Sequence, residues 1–201
     1  MLKVDVEQGS QIWLNLKAGV PSASNFDKIV TTKGIRSKTA EKYVLQLAGE
    51  KVTGVREEGF QSTAMAKGVE REQEAADFYE VATGSILEKV GICYLNDKKS
   101  ILCSPDRLIC DSDGILEIKC PMIQTQVQYL LDNDKLEKEY YQQVQGQLYV
   151  TDKDWCDLLA YYPGLKPVII RCERNQEFIE KLDKELKLFC SQLETMVNKI
   201  K

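Results

Sequence analysis

Residues 101–120 constrain the fold of this chain more than any other segment. They read Ile101-Leu102-Cys103-Ser104-Pro105-Asp106-Arg107-Leu108-Ile109-Cys110, then Asp111-Ser112-Asp113-Gly114, then Ile115-Leu116-Glu117-Ile118-Lys119-Cys120. Two apolar runs around an Asp/Gly-rich tetrapeptide predict a β-hairpin. An even-length loop pairs Cys110 with Ile115 and Asp106 with Lys119. Alternation along each strand then projects Asp106, Glu117 and Lys119 from one face and Ile118 from the other. An odd-length loop would turn Asp106 away from the other two.

Two readings of that face are open. It is either a solvated side of a hairpin, with Lys119 a surface charge, or a pair of carboxylates and an amine gathered to hold a divalent cation. The neighbours favour the second. Ile115, Leu116, Ile118 and Cys120 predict a strand covered on both sides, where an unpaired carboxylate is costly.

Composition narrows the chemistry. The 201 residues are 43% hydrophobic, enough for one substantial core, so residues 1–201 are expected to form a single α/β (α+β) domain. Histidine is absent, which excludes a Ser-His-Asp triad, a Cys-His dyad and His-ligated zinc within the chain. Hydrolysis here has to rest on carboxylates, Lys, Tyr or Cys, and carboxylates favour hard cations such as Mg²⁺ or Mn²⁺. A thiol nucleophile has no imidazole to activate it. The seven cysteines include no C-x-x-C pair and sit mostly in apolar runs, as buried free thiols of a reducing cytosol do. No run reaches bilayer-spanning length and there is no signal-peptide pattern, so a soluble intracellular protein without a membrane role is expected.

The net charge of −4 argues against nonspecific coating of nucleic acid. Local charge can still serve it. Residues 28–42 carry Lys28, Lys33, Arg36, Lys38 and Lys42 against Glu41. A mobile basic loop with Lys33, Arg36 and Lys38 is either a DNA-backbone contact or a solvated connection.

Along the chain, a segment with Trp13 leads to a turn at Gly19-Val20-Pro21. Ser22 or Ser24 would cap a short helix at 25–30. Helices are expected at 39–51, 62–82, 125–131, 138–150 and 176–200, and strands at 86–95, 156–162 and 168–172 beside the hairpin. In the 62–82 helix, Met65, Val69, Ala76 and Tyr79 form an apolar stripe that Glu72 completes. Glu72 is therefore buried with a partner or a metal, or sits at the stripe's edge. Glu70 and Glu74 lie about 200° round the helix, on the wet face. On the 138–150 helix, Tyr140, Gln143 and Gln147 form a ridge that either hydrogen-bonds a phosphate or metal-bound water, or faces solvent.

Taken together, Ser104-Pro105-Asp106, Glu117-Ile118-Lys119-Cys120-Pro121 and Gln143-Val144-Gln145 resemble the phage lambda-type alkaline exonucleases of the PD-(D/E)XK nuclease superfamily. The likeness extends to Glu7-Gln8-Gly9, Trp13, Gly19-Val20, Ser22-Ala23-Ser24, Gly68 and Glu72, in the same order. It implies a central mixed β-sheet flanked by helices, with a restriction-endonuclease-like core. It also implies 5′-to-3′ digestion of linear double-stranded DNA that leaves a 3′ overhang, a homotrimeric ring, and a single-strand annealing recombinase as partner. Such a protein would be phage or prophage encoded and act in the bacterial cytoplasm. By position, Asp106, Glu117 and the Ile118 carbonyl would ligate Mg²⁺, with Mn²⁺ the alternative. Glu72 would serve the metal directly or through water, and Lys119 would orient or activate the attacking water. Lys17, Ser24, Ser104 and Gln143 would bind the 5′-phosphate. Lys17 stands where the family commonly has Arg, keeping the charge but losing the bidentate fork. Other nucleases of the superfamily, or a non-catalytic DNA-binding module of this fold, are the alternatives.

Overall fold

The computed structural model describes residues 1–56, 63–110 and 112–201, and the side chains of all of these except 63–70. Position 62, the side chains of Met65, Gly68, Val69 and Glu70, and Asp111 therefore lie outside the described residues. The elements run β1 (Leu2–Val4), α1 (Gln11–Lys17), a 3-10 helix (Ala23–Lys28), α2 (Ala40–Thr53), α3 (Thr63–Thr83), β2 (Leu87–Lys89), β3 (Ile92–Tyr94), β4 (Leu102–Cys103), β5 (Arg107–Ile109) and β6 (Gly114–Lys119). They continue with α4 (Ile123–Leu131), α5 (Asn133–Thr151), β7 (Trp155–Ala160), β8 (Val168–Glu173) and α6 (Gln176–Ile200).

The strands form two sheets, the larger of which is the expected central mixed sheet flanked by helices. A five-stranded mixed sheet has the order β2-β5-β6-β7-β8, and a three-stranded sheet the order β1-β3-β4. The cause lies at two breaks. Val90-Gly91 divides the expected 86–95 strand into β2 and β3, and Ser104-Pro105 divides the 101–110 run into β4 and β5. Proline has no N–H to give a ladder, so β4 and β5 pair into different sheets. The β1 strand and α1 helix are further additions at the N-terminus; Ser10 caps α1 by accepting the Trp13 N–H at 3.2 Å. The short helix begins at Ala23 instead of 25, and neither Ser22 nor Ser24 caps it by side chain.

The hairpin register is also shifted. Arg107 pairs with Leu116 and Leu108 with Ile115, which continues to Asp106 opposite Glu117 instead of Lys119. The slip is by two residues, so every side chain keeps the face expected of it. β6 occupies the middle of the large sheet and is buried along all but its last residue. It runs parallel to β7, and α4 and α5 make the long crossover that a parallel pair requires.

Each face of the sheet has its own core. On one, Leu108, Ile115, Cys156, Leu158 and Ala160 pack beneath helices α2, α5 and α6 and the 3-10 helix. On the other, Ile109, Leu116, Ile118 and Leu159 pack against Ala75, Ala76 and Tyr79 of α3. α5 lies close on the 3-10 helix because residue 146 is glycine; a Cβ there would meet the Phe26 ring at 2.4 Å. α6 matches its predicted span. Phe178, Leu182, Leu186, Phe189, Leu193 and Val197 are its buried stripe, and Asn175 accepts the Phe178 N–H at 3.0 Å. The cysteines are free thiols, with Cys93, Cys103, Cys156 and Cys172 buried.

Candidate active site

Alternation along β5 and β6 sorts the polar groups. Glu117 shares the Ile115 face and points under α5, while Arg107 shares the Leu116 face and points under α3. Asp106, just before β5, falls on the α5 side with Glu117.

Glu117 is 3% exposed, and its carboxylate is held from three directions. Lys119 Nζ donates to Oε1 at 2.7 Å, Gln143 Nε2 donates to the same oxygen, and Gln147 Nε2 donates to Oε2 at 2.6 Å. Gln143 and Gln147 are one turn apart on α5, so a single ridge of that helix covers the carboxylate. Asp106 accepts the Ile118 N–H at 2.6 Å. In a strand the N–H and C=O of one residue point to the same side, so the Ile118 carbonyl also faces the Asp106 side of β6. Lys119 lies 4.3 Å from the centre of the Tyr140 ring and donates to Gln143 Oε1 at 3.2 Å.

These positions set the protonation balance. Burial, then the Glu117 and Glu72 charges, push the Asp106 carboxyl well above its ordinary range. Burial alone would lower the Lys119 ammonium, but Glu117 and Asp106 outweigh it and hold it above its usual value. Two carboxylates facing one another with one ammonium leave an excess of negative charge in a half-enclosed place. A divalent cation would relieve that excess. The oxygen donor set, two carboxylates and a backbone carbonyl, is of the kind that binds Mg²⁺ alongside water and a substrate phosphate.

Glu72 lines a cavity of ≈ 460 Å³ together with Asp106 and Arg107. It lies on the α3 side, where Arg107 Nη1 donates to it at 2.8 Å, and its side chain is 33% exposed. Among the described residues, no group of three or more Asp, Glu or Cys side chains is placed to cage a cation. The expected carboxylate on the stripe thus has an arginine partner. Arg107 also donates to the Asp106 carbonyl at 2.6 Å and the Gln73 side chain at 3.3 Å, which ties α3 to the start of β5. Glu74 is exposed as predicted and accepts the Tyr161 hydroxyl at 2.6 Å.

The four residues expected around a phosphate are divided. Lys17 lines a cavity of ≈ 400 Å³ with Ser22, Asn25, Lys28, Glu50 and Arg56, among others. Ser24 is exposed beside that group, its hydroxyl 3.3 Å from that of Ser22. Ser104 accepts the Trp13 indole N–H at 3.2 Å, and the Trp13 ring in turn carries Lys17 Nζ 3.9 Å from its centre. Gln143 is hydrogen-bonded within the Glu117 cluster. The segments meet because Leu102 donates to the Pro21 carbonyl at 3.1 Å, which lays residues 21–24 beside β4. Lys17 feels both Glu117 and Asp106 electrostatically, so the cavity and the carboxylate pair are neighbours.

The basic loop is ordered by its own hydrogen bonds: Thr31 N–H to the Ile35 carbonyl at 2.8 Å, and Ser37 N–H to the Ile29 carbonyl at 2.8 Å. Arg36 is spent on Glu41, Gln192 and Glu185. That leaves Lys33 and Lys38 as the exposed cations of this loop. Sequence reasoning missed Arg107 and Arg56, one inside an apolar run and the other in a helix exit. Gln147 was noticed only as part of a ridge. No local pattern points to the partner of any of the three.

A mixed sheet flanked by helices, with an Asp at the hairpin start and Glu-x-Lys on the central strand, defines a nuclease fold of the PD-(D/E)XK type. The family comparison agrees: the YqaJ-like viral recombinase domain matches residues 12–154, and the chain belongs to that family. In structure it is similar to the alkaline exonuclease LHK-Exo from Laribacter hongkongensis. The two are 28% identical with a TM-score of 0.84, over 95% of this chain and 96% of that one. The same exonuclease in complex with dAMP matches equally, at 28% identity and TM-score 0.84 over the same shares. A phage-related exonuclease from Haemophilus somnus 129PT shares the fold at 17% identity and TM-score 0.73, over 90% of this chain and 96% of that one. No curated protein matches the sequence. By family the chain is thus a YqaJ-like viral recombinase domain, and its fold resembles that of the lambda-type alkaline exonucleases. Among the described residues no helix is long and apolar enough to cross a membrane.

Proposed function

We propose that this exonuclease is dependent on a divalent cation and degrades one strand of linear duplex DNA in the 5′-to-3′ direction, leaving a 3′ single-stranded overhang. The observation that carries the reading is the placement of Asp106, Glu117 and Lys119 on one face of the hairpin, beside a cationic cavity.

Asp106, Glu117 and the Ile118 carbonyl would hold Mg²⁺ or Mn²⁺. The ion, when bound, neutralises charge developing on the phosphate and lowers the pKa of a bound water. Lys119 is anchored by Glu117 and Gln143 and shielded by Tyr140, so its ammonium is fixed in place to orient the attacking water. Gln143 and Gln147 hold the Glu117 carboxylate in one orientation, leaving little rearrangement for the reaction step. Glu72, restrained by Arg107 on the wall it shares with Asp106, would serve the cation directly or through water. The terminal 5′-phosphate would enter the cavity over Lys17, with Ser24 at its edge. Ser104 and Gln143 would contribute where the cavity approaches the carboxylates. Lys33 and Lys38 would meet the duplex backbone. The homotrimer, the annealing-recombinase partner and a place in phage or prophage recombination within the bacterial cytoplasm are part of the same proposal, supported by family membership.

A 5′-phosphorylated linear duplex incubated with Mg²⁺, and in parallel with EDTA, tests the reading. The expected result is loss of one strand from the 5′ end with Mg²⁺ only, and no attack on closed circular DNA. Cleavage of closed circles, or digestion that continues in EDTA, would overturn it.

A further inference from the structure

The cavity beside the carboxylate pair contains an arginine with no role yet assigned. Helix α2 ends at Gly54, whose φ of +69° turns the chain back, and Arg56 follows two residues later. This exit is stitched to the end of α1. Glu50, near the end of α2, accepts the Gly19 N–H at 3.0 Å and the Gln46 amide at 2.8 Å. Gly19 itself lies so near the helix that a Cβ would meet Lys51 Cβ at 2.5 Å. Lys17 and Arg56 are consequently brought to one indole. Lys17 Nζ is 3.9 Å, and the Arg56 guanidinium carbon 5.8 Å, from the centre of the Trp13 ring.

Among the described residues, the cavity therefore has Lys17, Lys28 and Arg56 on its walls against the carboxylate of Glu50. Among the described residues, no salt bridge engages any of the three cations. An excess of positive charge in a walled cavity is an anion site, and the three cations are not equivalent in it. Lys17 is 6% exposed and pinned on the indole, a point charge at the floor. Lys28 lies over the Tyr43 ring at 5.1 Å. Arg56 is half-exposed and presents the planar fork that binds two oxygens of a phosphate at once.

We infer that Arg56 is the residue that determines specificity for a terminal phosphate in this chain, forking onto its oxygens from the rim while Lys17 supplies charge from beneath. The inference rests on the reading that the cavity receives the 5′ end. A supporting consideration is that burial, then the Arg56 charge, draws the Lys17 ammonium down to about 7. An arginine stays charged through the alkaline range, so Arg56 remains a cation beside Lys17 there.

The test compares wild type, Arg56→Gln and Arg56→Lys on duplexes that carry a 5′-phosphate or a 5′-hydroxyl. Digestion rates are measured with Mg²⁺, and equilibrium binding by fluorescence anisotropy in EDTA. Wild type should prefer the phosphorylated end in both measurements. In Arg56→Gln that preference should fall by about tenfold, the value of a charge-assisted pair at ~1.5 kcal/mol, and Arg56→Lys should restore only part of it. Thermal melting of both variants at the wild-type temperature separates this loss from misfolding. If wild type prefers the phosphorylated end and Arg56→Gln prefers it equally, the assignment of Arg56 is overturned and the cavity reading stands. If wild type shows no preference, the cavity reading itself falls and the inference with it.

Discussion

The carboxylate pair under α5 and the cavity beside it are built from opposite charge. In the first, Glu117 is enclosed, with donors from β6 and α5 on both of its oxygens. In the second, cations line a cavity, two of them against aromatic rings. The difference separates two tasks. Chemistry on a phosphodiester needs groups fixed before the substrate arrives. Recognition of a chain end needs excess charge that the end itself neutralises. Damage to the first should reduce cleavage of every substrate, whereas damage to the second should alter which ends are chosen.

The largest effect expected from breaking this comparison lies in the pair. Asp106→Asn and Glu117→Gln keep the volume and remove the charge. Each should lower hydrolysis on phosphorylated and unphosphorylated duplex alike by more than about 10³-fold, with circular dichroism and duplex binding retained. A loss confined to phosphorylated ends would mean that the two regions have been assigned the wrong way round. A smaller effect is expected at Gln147, whose amide touches Glu117 and no substrate. Gln147→Leu should weaken Mn²⁺ binding by roughly 10–100-fold, as loss of a group that orients a ligand does. Gln147→Glu should be worse still, because it sets a like charge against Glu117. Unchanged Mn²⁺ affinity in Gln147→Leu would reduce the α5 ridge to packing. Least in absolute rate, and most selective, is the change at Arg56 described above.

Why the pair was legible and the cavity was not follows from the range of the forces involved. Strand alternation has a period of two, so a register wrong by two residues still delivered Asp106, Glu117 and Lys119 to one face. The same argument could not see that Ser104-Pro105 sends β4 to another sheet, because both halves of the run are equally apolar. For Glu72, helical spacing gave the stripe but not what the stripe meets. Arg107 sits among Leu108 and Ile109, and its buried guanidinium becomes intelligible only with α3 packed over it. The likeness to a family supplied Lys17 and Ser24 by position. Arg56 is brought to Lys17 by the Glu50–Gly19 hydrogen bond across 31 residues of sequence, and nothing near residue 56 announces that contact. Gln143 bonds Glu117; the Gln ridge can be read from spacing, but that partner cannot.

Calorimetric titration of the wild-type protein and of Glu117→Gln with Mn²⁺, in the absence of DNA, tests most directly whether the acidic face of the hairpin holds a cation. Saturable binding to wild type that is lost in Glu117→Gln is the predicted outcome. Equal binding by both proteins, or none by wild type even with a phosphorylated duplex present, would contradict it.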